Sequence, residues 1–285
     1  MNIGKLGVFY FIDAFTAPQA ADFARSVEKM GYGALWYPEA VGRNSVVTAA
    51  WLLSQTTNLV VASGIANIFA RDAQASAAAR ASLNELSGGR FLLGLGVSHP
   101  PLVEDMRGHS FNKPLTRMKE YLKKMEKAVY QAPAPEKSGE TVLAALGPKM
   151  TTLAGEMTDG AHPYNVTPAH TAKAREILGP DKKLYVEQKI VLETDPHKAR
   201  AIAKESLAMY LPMVNYQKNW AREGFQPEDW EKPTDKLLDA MVAWGDAEAI
   251  NKRIQEHFQA GADHVCLQPL GDDPIATLKP FAPKS

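Results

Sequence analysis

The chain has 285 residues, which is room for about two average domains or for one large α/β barrel. Hydrophobic residues make up 45% and charged residues 22%, the proportions of a folded globule, so a disordered or low-complexity chain is excluded. The 32 Lys and Arg balance the 32 Asp and Glu, and a net charge of zero lacks the long-range field of a nucleic-acid or polybasic membrane binder.

The chain opens Met-Asn-Ile-Gly-Lys-Leu-Gly-Val-Phe-Tyr, without the basic stretch and apolar run of a secretory signal, and no run of 18 apolar residues follows. A soluble, cytoplasmic protein is expected. The lone cysteine, Cys266, fits a reducing compartment, since it has no partner within the chain for a disulfide.

In chain order, strand-like apolar runs recur at Leu6–Phe11, Ala34–Tyr37, Leu59–Ile65, Phe91–Leu95, Thr141–Ala145, Leu184–Leu192 and His264–Leu267, with a very short one at Gly160–Pro163. Most are followed by helical patterns. Ala21, Phe23, Ala24, Val27 and Met30 keep helical spacing after Pro18, and Gly31 is placed to stop that helix. Further helices are expected over Asp72–Leu86, ended by Ser87-Gly88-Gly89, and over Asp246–Ala260, ended by Gly261. Strand and helix in alternation demand crossovers and a parallel sheet.

Eight such units in one domain over residues 1–285 leave about 36 residues for each, above the ~30 that a βα unit needs. A doubly wound open sheet usually carries a glycine-rich first βα turn, and Phe11-Ile12-Asp13-Ala14-Phe15-Thr16 has no glycine. The expected fold is therefore a single (β/α)8 TIM barrel. Long insertion loops are expected after strand four, at Ser98–Asn112, and after strand seven, at Tyr210–Thr234; Gln131–Glu140 reads as a Pro-rich connector.

Barrel active sites form where strands end. Strand two ends at Glu39, strand three in Gly64-Ile65-Ala66-Asn67 and strand four in Gly96-Val97-Ser98-His99, with glycines where a ligand can approach the backbone. Strand five runs into Leu146-Gly147-Pro148-Lys149-Met150, where Pro148 suits the first helical position and the new helix offers free N–H groups to an anion. Structural turns use the same Gly-Pro pair. Of the seven histidines, His197 and His257 lie in helical patterns and are expected to be solvated. No zincin or Cys-x-x-Cys pattern occurs, so no metal is assigned.

The run Asn84-Glu85-Leu86-Ser87-Gly88-Gly89-Arg90-Phe91-Leu92-Leu93-Gly94-Leu95-Gly96 resembles the signature of the bacterial-luciferase-like superfamily. Leu35-Trp36-Tyr37-Pro38-Glu39, Ala145–Lys149 followed by Ala154–Gly160, and Ala260–Val265 extend the resemblance in the expected order over nearly the whole chain. It implies a barrel that binds reduced flavin mononucleotide (FMN) or the deazaflavin coenzyme F420, and the chain looks more like the F420 branch. The resemblance places a non-prolyl cis peptide at Gly64–Ile65, backing the ring. It puts Ala66 and Asn67 at the pyrimidine edge, Gly96, Val97 and Ser98 along the ring or ribityl chain, Leu146 to Met150 at the phosphate, and Tyr164 and Thr167 as outlying contacts. A homodimer is implied too, with Val46, Val47, Ala50, Trp51 and Leu53 of the segment Ser45–Gln55 as the candidate contact.

In dehydrogenases of that branch the strand-two acid is followed by a histidine that handles the substrate proton; this chain has Glu39-Ala40. His99 is the substitute, since an imidazole titrates near neutrality, although Pro100 and Pro101 suit a merely packed loop histidine. Glu39 is assigned to cofactor or proton, or to an ion pair with Arg43. Tyr10 or Phe11 is a candidate wall of the substrate pocket. The expected activity is hydride transfer between coenzyme F420 and a small organic substrate. The alternatives are an FMN-dependent monooxygenase supplied by a reductase and a non-catalytic cofactor-binding barrel.

Overall fold

The computed structural model describes residues 1 and 3–283. Its strands are β1 (Leu6–Phe9), β2 (Ala34–Tyr37), β3 (Val60–Ser63), β4 (Ala66–Asn67), β5 (Phe91–Gly96), β6 (Thr141–Leu143), β7 (Gly160–Ala161), β8 (Lys183–Val191), β9 (Val242–Trp244) and β10 (His264–Pro269). All pairings are parallel, in the order β10-β1-β2-β3-β5-β6-β7-β8, and β8 pairs back with β10 from His264↔Tyr185 to Pro269↔Ile190. The eight-stranded TIM barrel is thus closed.

Two strands depart from the expectation. The third breaks after Ser63 and resumes as β4, which pairs with β5 at Ala66↔Leu95 and Asn67↔Gly96. β9 lies against the end of β8, from Lys189↔Val242 to Val191↔Trp244. Its three residues were too short a run to separate from the helix before them.

The helices are α1 (Ala17–Lys29), α2 (Ser45–Gln55), α3 (Ala73–Ser87), α4 (Pro114–Glu126), α5 (Pro148–Met157), α6 (Pro168–Leu178), α7 (Pro196–Leu207), α8 (Val214–Arg222), α9 (Pro227–Glu231), α10 (Asp235–Met241), α11 (Ala247–Gln259) and α12 (Pro274–Leu278). Local chemistry starts them: Thr16 and Gln19 form a capping box on α1, and Asp72 and Asp246 accept the Ala75 and Ala249 amides. Strand alternation then separates two cores. Val8, Leu35, Val61, Leu93 and Leu143 face the helices, whereas Phe9, Trp36, Ala62, Leu92, Tyr185 and Cys266 fill the barrel.

The Ser87-Gly88-Gly89-Arg90 turn works at the end of the barrel away from the strand carboxyl ends. Gly88 and Gly89 have φ of 67° and 88°, in the left-handed region that favours glycine. They turn Arg90 back so that its guanidinium donates to the Leu53 and Leu59 carbonyls at 2.9 and 3.0 Å. The motif that carries the family resemblance is therefore a backbone staple between α2, α3 and the start of β3.

His257, expected in solvent, is fully buried. Its Nδ1 meets Thr171 Oγ1 at 2.9 Å and its Nε2 meets Gln188 Oε1 at 2.9 Å, because α11 turns this residue toward α6 and β8. Leu53 is also buried, so the outward apolar face of α2 consists of Val47, Ala50 and Trp51. Among the described residues, no helix is long and apolar enough to cross a membrane.

Candidate active site

The strand carboxyl ends carry two unlike groups of residues, both packed about Phe9. Gly64, Ile65 and Ala144 are half-buried in one group, and Phe11 and Tyr164 are half-buried in the other. Gly96 lets the Ile65 side chain lie against β5: a Cβ there would stand 2.4 Å from Ile65 Cδ1 and 3.3 Å from the Ala144 Cβ. Tyr164 packs on Phe9 with ring centroids 5.1 Å apart, and Phe9 on Phe11 at 5.9 Å. The Gly64–Ile65 peptide is cis, at the position the resemblance assigns to one.

The residues assigned to a phosphorylated ring cofactor lie at these strand ends and the turns that follow them. Ala66 and Asn67 are buried in β4, Val97 and Ser98 are half-buried on the rim, and Leu146, Gly147 and Met150 are half-buried at the amino end of α5. Pro148 and Lys149 are exposed. Gly147 caps α5 with no side-chain hydrogen bond, so the helix start is open to an anion. The Thr167 hydroxyl is already engaged, donating to Glu223 Oε2. Tyr10 turns outward onto Phe15 and Phe23, which leaves Phe11 as the strand-one wall.

Glu39 is 8% exposed, and its carboxylate accepts four hydrogen bonds. Oε1 accepts the Ser45 amide at 3.0 Å, Oε2 accepts the Asn67 amide at 2.9 Å, and Arg71 donates to both oxygens. Burial pushes this carboxyl upward, but Arg71 and the two amides outweigh it and hold it below the usual range. Its ion pair is with Arg71, not Arg43; Arg43 bonds instead to the Ile12 and Phe15 carbonyls and, through its amide, to Asp13. The Ile12 and Phe15 carbonyls thus hold the Arg43 guanidinium away from Glu39.

His99 sits half-buried where the segment after β5 meets α8. Burial lowers its proton affinity and a hydrogen bond that the ring donates to the Asn215 side chain opposes that, leaving the imidazole below its ordinary value and neutral near pH 7. Its ring lies 5.9 Å from that of Tyr216. Three residues after Ser98, the chain makes a π-helical turn over Pro101–Asp105, and α8 buries its own Tyr216 and Trp220 beside Tyr210. Tyr210 carries the contact inward, its hydroxyl 2.9 Å from that of Tyr164.

A buried polar cluster under Tyr164 escaped the sequence reading. Glu187 and Lys189 share the inward face of β8 with Tyr185, two residues apart each time, and both are 1% exposed. The Lys189 ammonium lies 3.4 Å from Glu187 Oε1, 2.5 Å from Asn165 Oδ1 and 3.8 Å from the centre of the Tyr164 ring. Burial pulls Lys189 down to about 8 and pushes Glu187 up, each opposed by the other's charge. The readable signal was Glu187-Gln188-Lys189, three polar residues inside an otherwise apolar strand. Among the described residues, no three His, Cys, Asp or Glu side chains cluster as a metal site.

Comparison with known proteins gives the same outline. A family model described as luciferase-like monooxygenase matches residues 5–264. A putative coenzyme F420-dependent oxidoreductase of Mycobacterium tuberculosis is 26% identical over 305 aligned residues, covering 85% of this chain and 88% of that protein. The structure of an F420-dependent secondary alcohol dehydrogenase in complex with an F420-acetone adduct superposes with a TM-score of 0.81 at 17% identity, covering 96% and 97% of the two chains. The oxygenating constituent of 3,6-diketocamphane monooxygenase from Pseudomonas putida, in complex with FMN, gives 0.72 at 15% identity, covering 98% and 96%.

Proposed function

The chain belongs to the luciferase-like monooxygenase family, and on that premise we propose that it transfers a hydride between coenzyme F420 and a small organic substrate. What carries this reading is the set of strand ends, with glycine at Gly64 and Gly96, half-buried Phe11 and Tyr164, and the uncapped start of α5. The relative named as a putative F420-dependent oxidoreductase supports F420 over FMN. When bound, the deazaflavin supplies or accepts the hydride, and the protein supplies orientation and proton handling.

In this reading Gly64 to Asn67 support one face of the ring, Gly96 to Ser98 border the ring and ribityl chain, and Leu146 to Met150 hold the phosphate. Tyr164 closes the opposite side. His99, neutral and half-buried, accepts or returns the substrate proton. Glu39, with both oxygens engaged, acts as a positioning residue that fixes β4 through the Asn67 amide. The segment 98–112 and α8 keep water from the substrate.

The test is turnover of F420 with a panel of alcohols, enones and imines, followed by the visible absorbance of the oxidised deazaflavin. Turnover that disappears in His99→Ala while F420 still binds supports the reading. Binding without turnover across the panel favours a non-catalytic barrel.

The second reading, an FMN-dependent monooxygenase fed by a reductase, draws support from the family's description and from the likeness to the FMN-bound monooxygenase component. Oxygen consumption with reduced FMN separates the two. The exposed Val47 and Trp51 on α2 suit a homodimer contact, and sedimentation that finds only monomer counts against it. The cytoplasm is the proposed site of action.

A further inference from the structure

The amino end of α5 is met by side chains from two other elements. Leu146, Pro148 and Thr151 line a small cavity together with His170 and Lys173 of α6 and Arg222 of α8. The Arg222 guanidinium stands 3.3 Å from where a Cβ on Gly147 would lie, directly against the uncapped helix start. Asn219 Oδ1 accepts from Arg222 Nη1 at 3.1 Å, and the Lys173 ammonium donates to the Arg222 carbonyl at 3.4 Å.

His170 makes this corner more than a helix end. It is 6% exposed, its Nε2 donates to the Leu146 carbonyl at 3.0 Å, and its Nδ1 is buried without a partner. Glu223, the carboxylate lining the cavity, is engaged by the Thr167 hydroxyl and by Asn219 Nδ2 at 2.8 Å. Burial first, then Arg222 and Lys173, depress the proton affinity of His170. Two cations, a protonatable imidazole and a helix amino end thus converge where one occupied carboxylate answers them.

We propose that Arg222, aided by Lys173 and His170, binds the cofactor phosphate at the start of α5, so that phosphate binding fastens α8 against His99. The proposal rests on the cofactor reading given above and deepens it. An oxyanion accepts from Arg222 and from the Lys149 amide, since Pro148 has no N–H and the Met150 and Thr151 amides donate to the Gly147 carbonyl, and His170 takes up a proton on Nδ1 to donate as well. The consequence reaches the reacting end because α8 is one rod. Asn215 and Tyr216, at its amino end, are the residues that meet His99, and about 10 Å of helix separates them from Arg222.

Two ligand pairs test this. F420 is compared with its dephosphorylated, tail-less riboside, and FMN with riboflavin, each titrated into wild type, Arg222→Gln and Lys173→Gln. Both side chains are exposed, so the variants fold. Arg222→Gln is expected to weaken the phosphorylated member of whichever pair binds by roughly tenfold to a hundredfold, leaving its partner unchanged. Lys173→Gln does the same to a smaller extent. Hydrogen exchange in 214–222 slows when the phosphorylated ligand binds wild type, and does so less in Arg222→Gln. Equal losses for both members, no loss, or unchanged exchange in α8 overturns the proposal while leaving the cofactor reading intact. Binding of none of the four ligands overturns both.

Discussion

Glu39 and Arg71 form a forked ion pair at the end of β2, and the same carboxylate holds the amides of Asn67 in β4 and Ser45 at the start of α2. One buried side chain therefore ties together three elements at the carboxyl ends of the strands. Removing it leaves Arg71 and two amides without their acceptor. Glu39→Ala is expected to lose about 3 kcal/mol or more of stability in urea unfolding. Glu39→Gln, which keeps one acceptor oxygen, is expected to lose less and still to weaken F420 binding through the slackened β4. Unchanged stability and binding in both variants would remove the positioning role.

The Glu187–Lys189 pair gives a second prediction. Lys189→Met strands a buried carboxylate and is expected to lose about 3–5 kcal/mol, whereas the double variant Glu187→Leu/Lys189→Met recovers most of that loss. The measurement is a double-mutant cycle by urea unfolding. Additive losses would mean that the two groups do not depend on each other.

Three buried histidines set the acid limit. Burial holds His162 and His264 at about 4 and His257 at about 3, against about 6.5 in the unfolded chain. The unfolded state binds more protons, so their contribution to stability is complete above pH ~6.5 and is lost as pH falls toward the folded values. Together they remove up to about 4 kcal/mol per pH unit in that window, partly offset by Glu187, whose raised carboxyl acts with the opposite sign. Thermal midpoints should fall steeply between pH ~6 and ~4, and less steeply in His257→Gln. A flat profile would contradict the buried, neutral state.

His99 gives the kinetic counterpart. His99→Ala is expected to lower turnover by about a hundredfold or more while F420 binding is retained. The acid limb of the wild-type rate profile should lie below pH ~6.5, since burial depresses this imidazole, and should be absent in the variant. An acid limb that survives the substitution assigns the proton to another group.

The barrel was legible because its signals are local and repeated. Apolar strands, Asp or Thr caps and terminal glycines recur in order, and Gly64–Asn67 stood out as glycine within a strand. The partners of these residues were not legible. Glu39 lies 32 residues from Arg71, and Gly147 lies 75 from Arg222, so only the closed barrel brings them together. His257 was misjudged for the same reason: a polar residue on a helix reads as solvated until Thr171 and Gln188 are found opposite it. The stretch 210–234 read as loop because Pro212, Pro227 and Pro233 punctuate it, yet Pro227 opens α9, a position proline favours.

The most direct measurement is an anaerobic titration of the purified protein with F420 and, separately, with FMN, read by ligand fluorescence. The account predicts that F420 binds at micromolar concentration or tighter and that FMN binds more weakly. Binding of FMN without F420, or of neither, would contradict it.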